Sequence, residues 1–217
     1  MNTMNGLRDV VALGGPVVAI LLVMSVLTVA VTIYKLWQFA ASGVGRHKVL
    51  SGALAAWDAG DESGARTQLV KSRSYLAPLV ETAIKMPKSQ ALSDRLDAEA
   101  GLALARLERG FRLLDTIAQL APLLGLFGTV LGMIKAFQSL QTAGASVDPS
   151  LLAGGIWVAL VTTAVGLAVA MPTSMVLSWL ESRTARERVF ADKALRTVLM
   201  PHETSPLTLG DGTEEHA

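Results

Sequence analysis

The chain lacks cysteine altogether, and charged residues make up only 17% of its 217 residues. Without cysteine there is no disulfide, no thiol nucleophile and no thiolate metal ligand. The net charge is +1 and no block of Lys or Arg stands out, which argues against nucleic acid as a partner. Because 51% of the residues are hydrophobic, an ordinary soluble domain is not expected.

Histidine is also scarce, and no metal or cofactor site is expected. His47, His202 and His216 are far apart in sequence, and we expect them to lie solvated in loops or in the tail. The acidic residues around Asp61 lack the alternating oxygen ligands and closing Glu of a calcium loop, so they indicate a solvated turn.

Three long apolar runs dominate what is present. Residues 10–34 and 151–180 carry no charge, and residues 116–141 carry only Lys135. A bilayer core about 30 Å thick requires roughly 20 apolar helical residues, so each run predicts a transmembrane helix. A signal peptide is the alternative for the first run, but its apolar core would be only about 7–15 residues long. The run ends at Tyr34, Lys35 and Trp37, an interfacial anchor set that favours a retained span.

Basic residues predict the orientation of these spans. They follow the first run, precede the second and follow the third, whereas the opposite ends carry little charge. The positive-inside rule therefore predicts an outward N-terminus and a cytoplasmic C-terminus. The predicted organisation is an N-terminus (1–9), span 1 (10–34), a cytoplasmic helical region (35–115), span 2 (116–141), an outer link (142–150), span 3 (151–180), a cytoplasmic helix (181–199) and a disordered tail (200–217).

The fold class predicted is an all-α integral membrane protein whose helices extend into the cytoplasm. Apolar residues recur with helical spacing from Leu50 onward, with a break at Gly60 and the cluster Asp61–Gly64. From Ala91 the stripe continues without a strong breaker, which predicts one helix of about 50 residues running into span 2. The third span should likewise continue to Leu199. Pro122 would permit a kink at the membrane entrance.

Small residues recur at helical spacing in spans 2 and 3. Gly125, Gly128 and Gly132 lie on one side of span 2, and Gly155 and Gly166 lie on span 3. Such residues let membrane helices approach closely, so these spans are predicted to pack tightly against helices. Thr129, Thr162 and Thr163 are the polar groups near mid-membrane. They either bond back to the carbonyl one turn earlier or line a hydrated path.

Two motifs closely resemble the ExbB/TolQ/MotA family of ion-driven motor subunits. Residues 121–137 (APLLGLFGTVLGMIKAF) resemble its second-span motif, and residues 155–167 (GIWVALVTTAVGL) resemble its third-span motif. The segment from Gly14 to Phe39 is similar to ExbB-type members. The likeness covers almost the whole chain except the tail.

The resemblance implies a homopentamer in the inner membrane of a Gram-negative bacterium. It implies a dimer of single-span ExbD/TolR-type partners, each with a membrane-embedded Asp, at the centre of the pentamer. Proton flow would drive movement that energises TonB-dependent uptake through a TonB-like protein, or, in TolQ relatives, maintains the envelope. Membrane lipid is the surrounding partner. By matching motifs, Thr129 and Thr163 correspond to the family's pore-lining threonines, and Thr162 lies beside them.

One position departs from the motif of this family. ExbB and TolQ usually have Glu where this chain has Val158, and Val can neither titrate nor donate a hydrogen bond. Either the partner's Asp with the threonines suffices, or the chain is a scaffold that moves no ions. No nucleophile elbow, phosphate loop or paired catalytic carboxylates are present, so an enzyme is not expected.

Overall fold

A computed structural model describes residues 2–143 and 149–200. Within these residues all regular structure is α-helical and there is no strand, which confirms the all-α prediction. Most of the predicted link and tail, including His202 and His216, lie outside the described residues. The helices are α1 (Asn2–Ala41), α2 (Lys48–Asp58), α3 (Glu62–Lys71), α4 (Ala77–Lys85), α5 (Gln90–Glu108), α6 (Phe111–Ala143) and α7 (Pro149–Leu199).

Three stretches of helix are long and apolar enough to cross a membrane. They are Gly15–Ala41, Gln90–Thr142 and Leu152–Leu199, and each contains one of the predicted spans or most of it. The prediction of three membrane-crossing helices is therefore confirmed by length and composition. The chain divides into two compact units, one formed by residues 1–41 and 105–186 and the other by residues 42–104 and 187–217.

Helix α1 is interrupted near its beginning. Gly15 has φ 63° and ψ −158°, a conformation that glycine adopts without steric cost. Pro16 follows it, and proline is suited to the first position of a new helical segment because its missing N–H has no helical acceptor there. Thus α1 comprises two helical segments separated at Gly15, a break that the sequence analysis did not anticipate.

The uninterrupted helix predicted from Ala91 into span 2 is wrong. Helix α5 ends at Glu108 and α6 begins at Phe111, because Gly110 adopts φ +96°. A left-handed glycine just beyond the last turn is a common helix C-cap. Pro122, by contrast, lies inside the continuous helix α6.

Helix α7 continues without a break to Leu199. Its buried positions recur every three or four residues along the whole length. From Ala159 to Thr173 these positions are small or hydroxylated, and from Leu177 onward larger side chains occur among them. They include Ala159, Thr162, Ala170, Thr173, Leu177, Leu180, Thr184, Glu187, Ala191, Ala194 and Val198.

The second unit is a small helical core. Buried Leu, Ala and Val side chains of α2, α3, α4, the beginning of α5 and the end of α7 form one cluster, centred on residues such as Leu50, Leu76, Leu96 and Val198. The predicted break at Gly60 is confirmed. The cluster Asp61–Gly64, which was predicted to be part of the break, instead begins α3. Asp61 caps that helix by accepting a hydrogen bond from the Gly64 N–H at 2.8 Å.

Candidate ion path along the second and third spans

Spans 2 and 3 were predicted to pack tightly against helices, and in the structure α6 and α7 pack closely against each other. A Cβ atom added to Gly132 would lie 3.0 Å from the Ala159 Cβ, and one added to Gly155 would lie 2.5 Å from the Ala136 Cβ. Gly132 meets Ala159, whereas Ala136, later in α6, meets Gly155, earlier in α7. The two helices are therefore antiparallel. Close backbone approach provides the van der Waals contact that holds membrane helices together.

Three further glycines complete this contact. A Cβ on Gly125 would lie 3.0 Å from the Thr162 carbonyl oxygen, and one on Gly128 would lie 2.7 Å from the Thr162 Oγ1. A Cβ on Gly166 would lie 2.6 Å from the Ala121 carbonyl oxygen. All five glycines that were predicted to mediate packing therefore lie at the α6–α7 contact.

Thr162 lies inside this contact. Its side chain is 1% exposed, and its hydroxyl donates to the Ala159 carbonyl at 2.7 Å and approaches the Gly125 carbonyl at 3.3 Å. A hydroxyl packed so closely against Gly128 is part of the helix pairing within one chain. Among the three predicted threonines, it is the one with least access to water.

Thr163 and Thr129 have more open surroundings. The Thr163 hydroxyl is partly buried and donates across the helix pair to the Gly125 carbonyl at 3.3 Å. The Thr129 hydroxyl is partly exposed and donates to the Leu126 carbonyl of its own helix at 2.6 Å. Each oxygen that donates one bond keeps lone pairs that can accept another from water or from a partner group. Thus Thr162 and Thr163 converge on one carbonyl, and Thr129 does not join them.

Val158 faces a cavity rather than the α6–α7 contact. The cavity has a volume of about 370 Å³ and lies within the first unit between α1, α6 and α7. Its lining is mainly apolar, and Lys135 is the charged side chain in it. Because this chain has Val158 where the family usually has Glu, the lining has no carboxylate at this position. The lining residues are Gly15, Pro16, Val17, Gly128, Leu131, Gly132, Ile134, Lys135, Gln138, Val158 and Thr162.

A second group of hydroxyls lies between α1 and α7, and the sequence analysis overlooked it. Thr173 is fully buried and donates to the Val169 carbonyl at 2.7 Å, with the Thr28 Oγ1 at 3.3 Å. The Thr32 hydroxyl, one turn along α1, is buried and has no hydrogen-bond partner among the described residues. Thr28 and Thr32 are four residues apart on α1, and this spacing, which places both hydroxyls on one helix face, was visible in the sequence.

Lys35 is not the exposed interfacial anchor that its position suggested. It is 1% exposed, whereas Tyr34 and Trp37 beside it are exposed as predicted. The Lys35 Nζ donates to the Gln38 Oε1 at 2.7 Å and to the Leu107 carbonyl at 3.0 Å. It therefore caps a carbonyl in the last turn of α5, where no helical N–H is available. The aromatic ring of Phe111 lies 5.6 Å from the same ammonium.

His47 is likewise not a solvated loop residue. Its Nε2 lies 2.7 Å from the Glu187 Oε2, and its ring stacks on Phe190 with centroids 4.1 Å apart. Glu187 is 3% exposed and also accepts a hydrogen bond from the Gly45 N–H at 2.8 Å. No group of three or more potential His, Asp or Glu metal ligands occurs within the described ranges.

The neighbours of His47 form a packing network. Ser74 Oγ lies 3.2 Å from the His47 Nδ1, but Ser74 is 4% exposed and also accepts from the Leu76 N–H at 3.3 Å. The Ser74 hydroxyl is therefore part of the buried packing around His47. Burial, together with the charge of the nearby Glu187, raises the pKa of Tyr75 well above its usual value. The Tyr75 phenol is accordingly neutral in the folded protein.

Comparisons with known proteins agree with the motifs of spans 2 and 3. The model of the MotA/TolQ/ExbB proton channel family matches residues 67–192. An ExbB-like biopolymer transport protein of Synechocystis is 33% identical over 80% of this chain and 70% of its own length. An ExbB homologue of Methanothermobacter thermautotrophicus is 33% identical over 57% of this chain and 45% of its own length. The Tol-Pal system protein TolQ of Haemophilus influenzae is 40% identical over 36% of this chain and 33% of its own length.

Proposed function

Because the chain belongs to the MotA/TolQ/ExbB proton channel family, we propose that it is a subunit of a proton-driven motor in the bacterial inner membrane. Its family consists of channel and transport subunits and not of enzymes. The observation that carries the proposal is the glycine-packed α6–α7 pair, which leaves the Thr129 and Thr163 hydroxyls less buried than that of Thr162 in the apolar stretches of these helices.

The proposed assembly is a homopentamer around a dimer of single-span ExbD/TolR-type partners. Between Thr116 and Leu180 the only carboxylate in the sequence is Asp148 of the link. A proton relay through these spans therefore needs an acid from another chain, and the partner's membrane-embedded Asp supplies it in this proposal. Thr129 and Thr163 would accept hydrogen bonds from water or from the protonated acid.

The energy available suits mechanical work. At about 150–200 mV each proton releases roughly 3–5 kcal/mol, from about 2.3 kcal/mol per charge per 100 mV. In the proposal, proton flow moves the partner and, through a TonB-like protein, energises transport across the outer membrane. The same subunit in a TolQ-type role would instead maintain the cell envelope. Complementation of siderophore-dependent growth or of detergent sensitivity in deletion strains separates these two roles.

A non-conducting scaffold is the alternative that Val158 favours. The side chain at this position lies in an apolar cavity with Lys135 and cannot carry a proton. Proton flux equal to that of a glutamate-containing relative would exclude the scaffold. No proton flux in the wild-type complex, together with flux in the Val158→Glu complex, would support the scaffold.

The deciding experiment is proton flux into liposomes that contain the chain together with its single-span partner. Thr163→Val should abolish flux if the hydroxyl belongs to the path. Thr184→Val is the control on the same helix, since its hydroxyl donates to the Leu180 carbonyl of α7 itself, at 3.1 Å, and within the described residues makes no bond to α6 like that of Thr163. Unchanged flux in Thr163→Val would exclude Thr163 from the path. Native mass of the purified complex tests the stoichiometry, for which five copies, and five plus two with the partner, are expected.

A further inference from the structure

The cavity beside Val158 has the chemistry of a lipid site. Most of its lining is apolar, with Val17, Leu131 and Ile134 contributing aliphatic surface, whereas Lys135 and Gln138 supply polar donors. Its volume of about 370 Å³ lies within the range of ligand pockets, which is roughly 300–1,000 Å³. An occupant must therefore combine an acyl chain with an acceptor group.

The charge in the cavity selects an anion. Lys135 is exposed, and within the described side chains (15–142, 150 and 152–200) no carboxylate pairs with it. Gln138 follows it by three residues and so lies on the same side of α6. Both residues line the cavity, and an ammonium together with an amide N–H₂ can donate to the oxygens of a phosphate group.

The depth of Lys135 agrees with this choice. It precedes the end of the predicted span at residue 141 by six residues, or about 9 Å of helix. A lysine at that depth extends its ammonium toward the interface while its methylene stem stays in the apolar region. The phosphates of the adjacent leaflet lie at that interface.

The break in α1 leaves room beside the same cavity. Gly15 and Pro16 line it, and a Cβ atom added to Gly15 would meet nothing within 4 Å. Pro16 also has no N–H, so the break places no extra backbone donor there. We infer that the cavity between α1, α6 and α7 binds an anionic phospholipid, with its phosphate on Lys135 and Gln138 and an acyl chain along Ile134 and Val158.

The test is native mass spectrometry of the detergent-purified protein after incubation with equal amounts of phosphatidylglycerol and phosphatidylcholine. The wild-type protein should retain phosphatidylglycerol preferentially. Lys135→Gln should lower this preference about fivefold, which is the contribution of one basic residue near a membrane surface. Lys135→Arg, which keeps the positive charge, should retain the wild-type preference for phosphatidylglycerol. The readout does not involve ion conduction, so it can fail while the motor proposal stands, and the reverse is also true.

A matched pair of variants tests the acyl part of the site. Ile134 and Val130 are aliphatic residues one turn apart on α6, 47% and 50% exposed, but only Ile134 lines the cavity. Ile134→Trp should reduce retention of both lipids, whereas Val130→Trp should leave it unchanged.

Four results would overturn the inference. One is retention in Lys135→Gln and Ile134→Trp equal to that of the wild type, and another is equal retention of both lipids by the wild type. The third is displacement of the lipid by inorganic phosphate, which would show that the anion alone is bound. A change in subunit number caused by Ile134→Trp would also count against a lipid, because it would assign the cavity to a contact between copies.

Discussion

Replacing Gly166 by Ala should separate α6 from α7. A Cβ at this position would lie 2.6 Å from the Ala121 carbonyl oxygen and 3.0 Å from the Gly125 Cα. Ordinary carbon–oxygen contacts are about 3.3 Å or longer, so the two backbones must part by roughly 0.5–0.7 Å. Both opposing atoms belong to the backbone, and no side-chain rotation can relieve the contact.

Two opposing terms set the size of the effect. Overpacking of this kind costs about 1–3 kcal/mol, and the higher helix propensity of Ala offsets about 1 kcal/mol of it. Gly154, on the same helix, has nothing within 4 Å of an added Cβ, so Gly154→Ala should only gain the propensity term. The two variants should therefore differ by about 1–3 kcal/mol, or roughly 2–12 °C in unfolding midpoint.

Thermal unfolding of the two variants in the same detergent measures this difference, and proton flux provides a second readout. The Thr163 hydroxyl bond to the Gly125 carbonyl is already 3.3 Å long, so separation of the helices should break it and lower flux in Gly166→Ala. A Gly166→Ala protein that is as stable as Gly154→Ala would refute the assigned helix contact.

Three further predictions concern other contacts. The chain has no cysteine, so the double variant Gly132→Cys with Ala159→Cys should form a single disulfide between α6 and α7 on oxidation. After the chain is cleaved between the two spans, the disulfide keeps the fragments together and shifts their electrophoretic band. Val130→Cys with Ala159→Cys should show no such shift. Glu187→Ala should destabilise the second unit by about 2–5 kcal/mol, because it leaves the Gly45 N–H and the His47 Nε2 without their hydrogen-bond partner. Asp192→Ala, which removes an exposed carboxylate, should change the unfolding midpoint little. Because the pKa of Tyr75 is raised in the folded protein, its contribution to the free energy of unfolding is fully present below the ordinary tyrosine pKa of about 10 and is lost as the pH rises above that value. Tyr75→Phe should therefore reduce the loss of stability at alkaline pH. The same variant should remove the component with the highest pKa from an absorbance titration of the tyrosines.

Composition and periodicity predicted where the long apolar helices lie but not every helix boundary. The charge-free runs predicted the three helices that can cross a membrane, and the small-residue spacing predicted that spans 2 and 3 pack tightly against helices, without saying which helices. Both signals are local in sequence, since each depends on residues within one helix. The continuous helix through Gly110 was wrong because glycine is tolerated inside a helix as well as at its end.

Long-range partners could not be predicted in this way. Lys35 bonds to a carbonyl 72 residues away, and His47 bonds to Glu187 at a separation of 140 residues. An interfacial Lys and a loop His are ordinarily solvated, and no local pattern distinguishes the exceptions. Only the tertiary fold supplies the carbonyl or carboxylate that makes burial of these polar groups tolerable.

The neighbouring threonines show how packing and the proposed path depend on each other. Successive helical residues point about 100° apart, so Thr162 and Thr163 cannot both face α6 equally. Thr162 takes the buried position against Gly128, and Thr163 reaches the same Gly125 carbonyl from the side of the contact. Any side chain larger than hydrogen at Gly125 would push Thr162 and Thr163 away together. The glycine is therefore needed for the orientation of the hydroxyl as well as for helix packing, and a mutation that loosens the helix pair should impair the proposed path even where every polar residue is intact.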